Sequence, residues 1–395
     1  MAILNALLIA YVAVALAYWL QVVYALVRVR RAMPVLSDLA PPEPGRWPAL
    51  SVIVPACNEA DRVEAAVRTL LAQDYPDLEI ILVDDRSTDA TGEILDRLAA
   101  EDDRARVIHI TGLPDGWLGK VNALRCGVEA SRGDFVLFTD ADVHFAPGAL
   151  RKAVAWCEDQ GLDHLAAFPT LSRAGVLVDA TVSVFVRQFL LMTRPWSVAD
   201  PASRAFIGVG AFNLVRRAAF EATPGFEWLR LEVADDAGLG LMMKRSGARC
   251  GVVAAFENVG LHWYRSLGEV ARGAEKAYAS ASGCSLGRAL VLAGVSLALE
   301  VSPVLALVPL AFDGTRLVGC GGIAVLAAFL VSVVVMTRWG RAGVLPALIA
   351  PAVMVLGAVI FVRAGLLGWW RGGVLWRGTL YPSAVLRAGR RVRLI

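Results

Sequence analysis

Residues 135–145 read FVLFTDADVHF. Phe135 to Phe138 is an apolar run of the length of a short buried strand, and it stops abruptly at Thr139-Asp140-Ala141-Asp142. Open α/β sheets hold their ligands at the C-terminal ends of buried strands. Two Asp one residue apart in extended chain point the same way, because strand side chains repeat every two residues. Hard oxygen ligands set side by side suit Mg2+ or Mn2+ carrying a diphosphate. An isolated DxD also reads as a solvated pair in a turn, so the flanking chain has to decide.

Upstream, strands and helices alternate. SVIVP (51–55) reads as a strand, and Glu59 to Gln73 has apolar residues at helical spacing. EIILVDD (79–85) is the next strand, Thr91 to Ala100 the next helix, VIHI (107–110) a third strand and Lys120 to Ala130 a third helix. This β-α-β-α order predicts an α/β domain with a mostly parallel sheet and helices on both faces. Downstream, Ala149 to Gln160 reads as a helix and HLAAFPT (164–170) as a strand. Val176 to Met192, interrupted by Arg187 and Gln188, fits a core helix or an amphipathic helix on a membrane face. GVGAFNLVRR (208–217) reads as a glycine turn entering a strand, and Glu232 to Lys244 as a helix with an acidic first turn, favoured by the helix dipole.

At 395 residues with 57% hydrophobic content, the chain is too apolar for an ordinary soluble protein. A net charge of +3 gives no pull toward nucleic acid. The six Cys are scattered without CxxC spacing, against a disulfide scaffold or zinc site and consistent with a reducing compartment. Ile3 to Val27 spans a bilayer and is followed by Arg28, Arg30 and Arg31, which reads as an anchor with a cytoplasmic C-terminal end. A cleaved signal peptide would be shorter in its apolar part and basic on the other side. Leu290 to Leu310, Leu317 to Met336 and Val344 to Val362 are each about a membrane thickness. Three full spans would leave the Arg-rich C-terminus outside, against the positive-inside rule. Pro346 and Pro351 therefore mark the third segment as the re-entrant or interfacial one, with the C-terminus cytoplasmic. The expected division is an anchor at 1–31, a linker at 32–48, the α/β domain at 49–285, membrane segments at 286–365 and a basic interfacial tail at 366–395.

Candidate site residues cluster at the expected strand ends. At the first strand end, Pro55-Ala56-Cys57-Asn58-Glu59, Pro55 and Asn58 break the strand and leave backbone free for a ligand. Asp85 closes the second strand, where a carboxylate can accept from a nucleobase imide N–H, while Ser87, Thr88 and Asp89 suit helix capping. Lys120 opens a helix after Gly116 and Gly119, where free N–H groups and a cation favour phosphate, although this is no P-loop. Asp235 and Asp236 raise one another's pKa if buried together, which suits a general base for a sugar or lipid hydroxyl. An acidic first turn placed only for the dipole is the alternative. His262 is a further metal-ligand candidate, and His144 reads as structural.

In order, VPxxNE, VDDxS, GK near an Asn, TDAD and an acidic pair before LG resemble the inverting family 2 glycosyltransferases of GT-A fold, a family that includes cellulose synthase-like enzymes. The resemblance covers about Leu50 to Lys276. WLGKVNAL (117–124), WYRSLGEVARGAEK (263–276) and GGVLWRGTLYP (372–382), with membrane helices at each end, are similar to the branch that glycosylates ceramide, hopanoids and carotenoids. It implies that Pro55, Asn58 and Glu59 border the nucleotide, Asp85 meets the uracil and Asp140 lies near the ribose. Asp142 would hold a divalent metal, Mg2+ or Mn2+, and Asp236 would be the base, with Asp235 where the family usually has Glu. The QxxRW motif is reduced to Arg272 within Glu269-Val270-Ala271-Arg272-Gly273, which argues against a processive polysaccharide synthase. Arg265, Arg272, Lys276, Asp235 and Gly210 are then candidates for diphosphate or acceptor contacts.

The expected activity is transfer of a sugar from a nucleotide-sugar, a UDP-hexose, to a hydroxyl or carboxyl of a membrane lipid. The setting would be a multi-pass inner-membrane protein of bacterial type with the catalytic domain cytoplasmic. A membrane nucleotidyltransferase and a non-catalytic nucleotide-sugar-binding module of an envelope-assembly system are the rival readings.

Overall fold

The structure is a computed structural model that describes residues 2–393; residue 1 of the expected anchor and residues 394 and 395 of the expected tail lie outside the described residues. The expected strands form as β1 (Leu50–Ala56), β2 (Leu78–Asp85), β3 (Ala105–Ile110) and β4 (Phe135–Phe138). They are followed by β5 (Val143–Phe145), β6 (His164–Phe168), β7 (Thr170–Leu171), β8 (Asn213–Arg216), β9 (Cys250–Ala254) and β10 (Val259–Leu261). Seven of them make one sheet in the order β3-β2-β1-β4-β8-β6-β9. β1, β2 and β4 are buried over nearly their whole length, as their continuous Val/Ile/Leu/Phe runs require of strands covered on both faces.

The sheet is parallel from β3 to β4, but β8 runs antiparallel to both β4 and β6. That reversal turns the chain end around and brings the Gly208–Phe212 turn against the end of β4, where Gly210 and Ala211 carbonyls accept from the Asp140 N–H and the Thr139 hydroxyl. The HLAAFPT strand divides at Pro169, and β7 joins a small sheet of order β5-β10-β7. Proline lacks the N–H a continuing ladder needs.

One expectation about the acidic stretch fails. Thr139 to Asp142 is a turn between β4 and β5, not extended strand, so strand alternation does not aim its two carboxylates.

Among the described residues, four helices are long and apolar enough to cross a membrane: Ile3–Ala32, Val176–Ser197, Val318–Arg338 and Val344–Trp370. Pairing of the bent Leu267–Ser282 and Leu286–Glu300 helices, which meet at 102°, would make a fifth. These helices make the chain membrane-associated. Two details differ from expectation. The Leu290 to Leu310 segment is broken, because its helix ends at Glu300 and short turns follow at Ser302–Leu305 and Val308–Ala311. Pro303 and Pro309 each start one of those turns, where a missing N–H costs least. The Val344–Trp370 helix, expected to be re-entrant, instead runs unbroken through Pro351, with Pro346 in its first turn. Val176–Thr193 is neither only core nor only interfacial, since Arg187 is buried against the equally buried Glu300 while Val176, Leu177 and Phe185 stay exposed.

The N-terminal helix packs through Val12, Ala15, Trp19, Val22, Leu26 and Val29, one face of the helical repeat. Trp19 sits edge-on to Phe329 of the Arg316–Arg338 helix at 5.0 Å and donates its Nε1–H to Ser302 Oγ at 2.9 Å. The expected interfacial tail also folds back onto the α/β domain. It forms the hairpin β11 (Gly373–Trp376) and β12 (Thr379–Pro382), and Glu232 accepts from the backbone N–H of Val392 at 2.8 Å.

Candidate active site

The ends of β1 and β2 are tied together by the residues that terminate them. Asn58 adopts a left-handed backbone, with φ of 54°, and its N–H donates to Ser87 Oγ at 3.1 Å. Its Oδ1 accepts from the Thr88 N–H at 2.8 Å, so Asn58 shapes the turn and does not line the cavity. Asp89 accepts from the N–H and hydroxyl of Thr91, the first residue of the next helix, at 3.0 and 2.6 Å. Asp85 is buried at the end of β2 and accepts from Arg86 Nε at 2.7 Å and Nη2 at 3.0 Å. Glu59 accepts from Arg377.

Lys120, on the first turn of the Gly119–Ala130 helix, joins two acidic elements. Its Nζ lies 2.6 Å from Asp140 Oδ1 and 3.1 Å from Asp235 Oδ2. Burial alone would lower its pKa, but the Asp140 and Asp235 charges push it well above the ordinary lysine value. Lys276 reaches the other oxygen of Asp235 at 3.2 Å. Burial would raise Asp235 as well, yet the Lys120 and Lys276 charges override it and hold this carboxyl below its usual range.

The neighbouring Asp236 goes the other way. Burial, and then the Asp235 charge, raise its pKa above the ordinary carboxylate value. Two adjacent carboxylates are thus pushed apart, one ionised and one with raised proton affinity, a pattern that separates acid–base roles. Asp236 Oδ2 accepts from the Gly210 N–H at 3.1 Å, and its backbone carbonyl accepts from Asn213 Nδ2 at 3.2 Å. Glycine is required in this turn by close approach: a Cβ on Gly208 would sit 1.7 Å from the Asp236 carbonyl oxygen, and one on Gly210 2.6 Å from Asp140 Oδ2.

Asp142 is only weakly compensated. Its contact to Arg62 is long, 3.5 Å, and burial with the Asp140 and Glu59 charges pushes its pKa up to about 6. No three His, Cys, Asp or Glu side chains converge as a self-contained metal site among the described residues. The weakly compensated Asp142 carboxylate nevertheless fits a hard divalent cation, which prefers charged oxygen ligands.

A single cavity of about 660 Å3 runs from this acidic cluster to the apolar helices. Pro55, Glu59, Asp85, Lys120, Asp140, Asp142, Gly210, Asp236 and Lys276 line one end, and Val182, Phe185, Phe189, Met336 and Trp339 line the other.

Residues 51–223 match the Glycosyl transferase family 2 model. They are a family 2 glycosyltransferase domain. The uncharacterized glycosyltransferase EpsJ of Bacillus subtilis is 35% identical over 116 residues, 29% of this chain and 32% of its own. The GalNAc(5)-diNAcBac-PP-undecaprenol beta-1,3-glucosyltransferase of Campylobacter jejuni is 38% identical over 103 residues, 26% of this chain and 32% of its own. The matched stretch therefore spans about a third of these curated relatives, 32% of each. The mannosyltransferase PcManGT of Pyrobaculum calidifontis, solved with GDP-Man and Mn2+, superposes with a TM-score of 0.53 at 21% identity, covering 92% of this chain and 98% of its own. That likeness shows the GT-A fold.

Not every expected residue joins the family 2 site. Arg265 and Arg272 are exposed and do not line the cavity, and His262 is exposed beside His144. Arg62, Trp376, Arg377 and Tyr381 line it and were not expected. Arg62 comes three residues after Glu59, at the N-cap of the Val63–Leu71 helix, and a cation at that helix start was a readable signal. Arg377 lies 318 residues from its partner Glu59, and no local pattern connects them.

Proposed function

We propose that this chain is an inverting glycosyltransferase that moves a hexose from a UDP-sugar to a hydroxyl or carboxyl of a membrane lipid at the cytoplasmic face. A hopanoid, carotenoid, ceramide or similar lipid is the acceptor class. The observation that carries the reading is the continuous cavity, acidic at the sheet ends and apolar between the helices, because such a shape suits a polar donor meeting a lipid.

In this reading Asp85 accepts from the uracil imide, Pro55 and Glu59 border the nucleoside with Asn58 shaping their turn, and Asp140 faces the ribose. Lys120 holds charge balance between Asp140 and Asp235 beside the phosphates. A divalent metal on Asp142, when bound, supplies positive charge against the diphosphate. Asp236 takes the proton from the acceptor oxygen as that oxygen bonds to the anomeric carbon from the face opposite the nucleotide. The bond from that carbon to the phosphate oxygen breaks, and the electron pair leaves with UDP. General-base assistance of this kind contributes on the order of 10²–10⁴ in rate. Asp235, kept ionised by Lys120 and Lys276, keeps Asp236 proton-avid.

Residues 1–31 and 286–365 serve as the membrane portion, 32–48 as linker and 49–285 as catalytic domain. Mass spectrometry of total lipids with and without the gene tests the acceptor class, with a hexose mass shift expected. Purified membranes should release UDP; release of pyrophosphate would identify a nucleotidyltransferase instead, and no turnover of donor would leave only a binding module.

A further inference from the structure

The C-terminal hairpin reaches the acidic end of the cavity. Pairing sets Trp376 opposite Thr379, so only Arg377 and Gly378 form the turn, and their φ values are 49° and 77°. A two-residue hairpin turn with both central φ positive ordinarily takes Asn, Asp or Gly at its first position. Arginine is disfavoured in that left-handed backbone, so its presence at the tip calls for a compensating role. Its guanidinium supplies one: Nη1 donates to the Cys57 carbonyl at 2.6 Å and Nη2 to Glu59 Oε1 at 2.5 Å, at the end of β1.

The rest of the hairpin meets the same site. Trp376 lies under the Lys276 ammonium at 4.9 Å, and the Tyr381 hydroxyl accepts from the Gly119 N–H, next to Lys120, at 3.3 Å. Meanwhile Arg272 on the Leu267–Ser282 helix, and Arg265 just before it, are exposed.

We propose that Arg377 contacts the diphosphate of the donor, delivered by the C-terminal hairpin in place of the arginine expected near residue 272. The inference rests on the nucleotide-sugar reading above. A guanidinium presents a planar fork of N–H donors suited to pairs of phosphate oxygens. Cys57 and Glu59 engage only part of that fork. When the bond from the anomeric carbon to the phosphate oxygen breaks, the electron pair stays on the diphosphate, and a fixed cation there stabilises the leaving group. Arg377 thereby makes the site prefer a nucleoside diphosphate over a monophosphate.

The test compares UDP and UMP binding by calorimetry to the full-length chain in nanodiscs with Mn2+ present, with sugar transfer to lipid assayed in parallel. Arg377→Ala should weaken UDP roughly 10- to 100-fold, the usual loss for a charge-assisted contact, and leave UMP within about twofold. Arg377→Lys should recover part of the UDP affinity, since it keeps the charge and loses the fork. If the alanine variant fails to fold, Arg377→Gln carries the same comparison. Equal losses for UDP and UMP, or UDP affinity matching wild type, overturn the proposal while wild-type transfer leaves the function standing. A wild type that neither discriminates UDP from UMP nor transfers sugar removes the function and this inference together.

Discussion

Gly210 donates its backbone N–H to the Asp236 carboxylate across 3.1 Å, and a Cβ added to it would crowd the Asp140 carboxylate. The carboxylate proposed as base is therefore oriented by the turn that leads into β8. Gly210→Ala would push a methyl to 2.6 Å from Asp140 Oδ2, on a carboxylate whose other oxygen, Oδ1, Lys120 holds at 2.6 Å. Misplacement on this scale costs on the order of 10²-fold in rate. We expect kcat to fall by about that factor, while the unfolding midpoint in detergent stays near wild type. Unchanged kcat would show that the turn does not position the base.

Asp236→Asn separates chemistry from binding. The amide keeps the shape and can still accept from Gly210, but it cannot take a proton. Turnover should fall by roughly 10²–10⁴, with UDP affinity within about twofold of wild type, because the donor contacts assigned to Asp85 and Glu59 are untouched. Normal transfer by this variant would remove the base assignment.

Much of this site was legible locally. Buried apolar runs ending in Asp85 and Asp140 mark strand ends, and their order with Lys120 and Asp235-Asp236 marks the family. What was not legible depends on partners far along the chain. Lys120 was expected on phosphate, yet it bridges Asp140 and Asp235, 20 and 115 residues away in number, because helix and sheet dock there. The antiparallel sense of β8 is set by how the chain returns after the Val176–Thr193 helix, not by any residue in NLVR. The broken segment after Glu300 escaped an apolar-length criterion because Pro303 and Pro309 interrupt a run that is apolar on average and whose one charged residue is Glu300.

A buried histidine gives the fold a pH dependence that can be measured. His164 on β6 shares its Nε2 with Asn213 Oδ1 at 2.7 Å, and Asn213 in turn holds the Asp236 backbone carbonyl. Burial lowers the His164 pKa from 6.5 to about 4, so the unfolded chain binds a proton between those values and the folded chain does not. The stability this neutral ring contributes is complete above pH 6.5, falls as pH drops toward about 4, and levels off below. Protonating the unfolded chain alone across that interval costs the fold about 3 kcal/mol. His164→Gln should flatten the pH 4.5–6.5 slope of thermal stability relative to wild type. An identical slope in both proteins would exclude His164 as its source.

Arg187 and Glu300 pair where the Val176–Thr193 helix meets the end of Leu286–Glu300, both wholly buried. Tyr18 donates to the other Glu300 oxygen at 2.5 Å, and the Arg187 guanidinium lies over the Trp19 ring at 5.0 Å. The pair thus pins three apolar helices at the point where the membrane segment breaks. Removing one partner leaves a buried charge alone, which costs roughly 3–5 kcal/mol, whereas replacing both with apolar residues of similar size is often close to neutral. Arg187→Met and Glu300→Leu singly should lower the thermal midpoint in nanodiscs by several degrees and reduce yield. The double variant should recover most of that loss. Additive loss in the double variant would mean that each side chain stabilises the helices independently, through Trp19 or Tyr18, and not through their pairing.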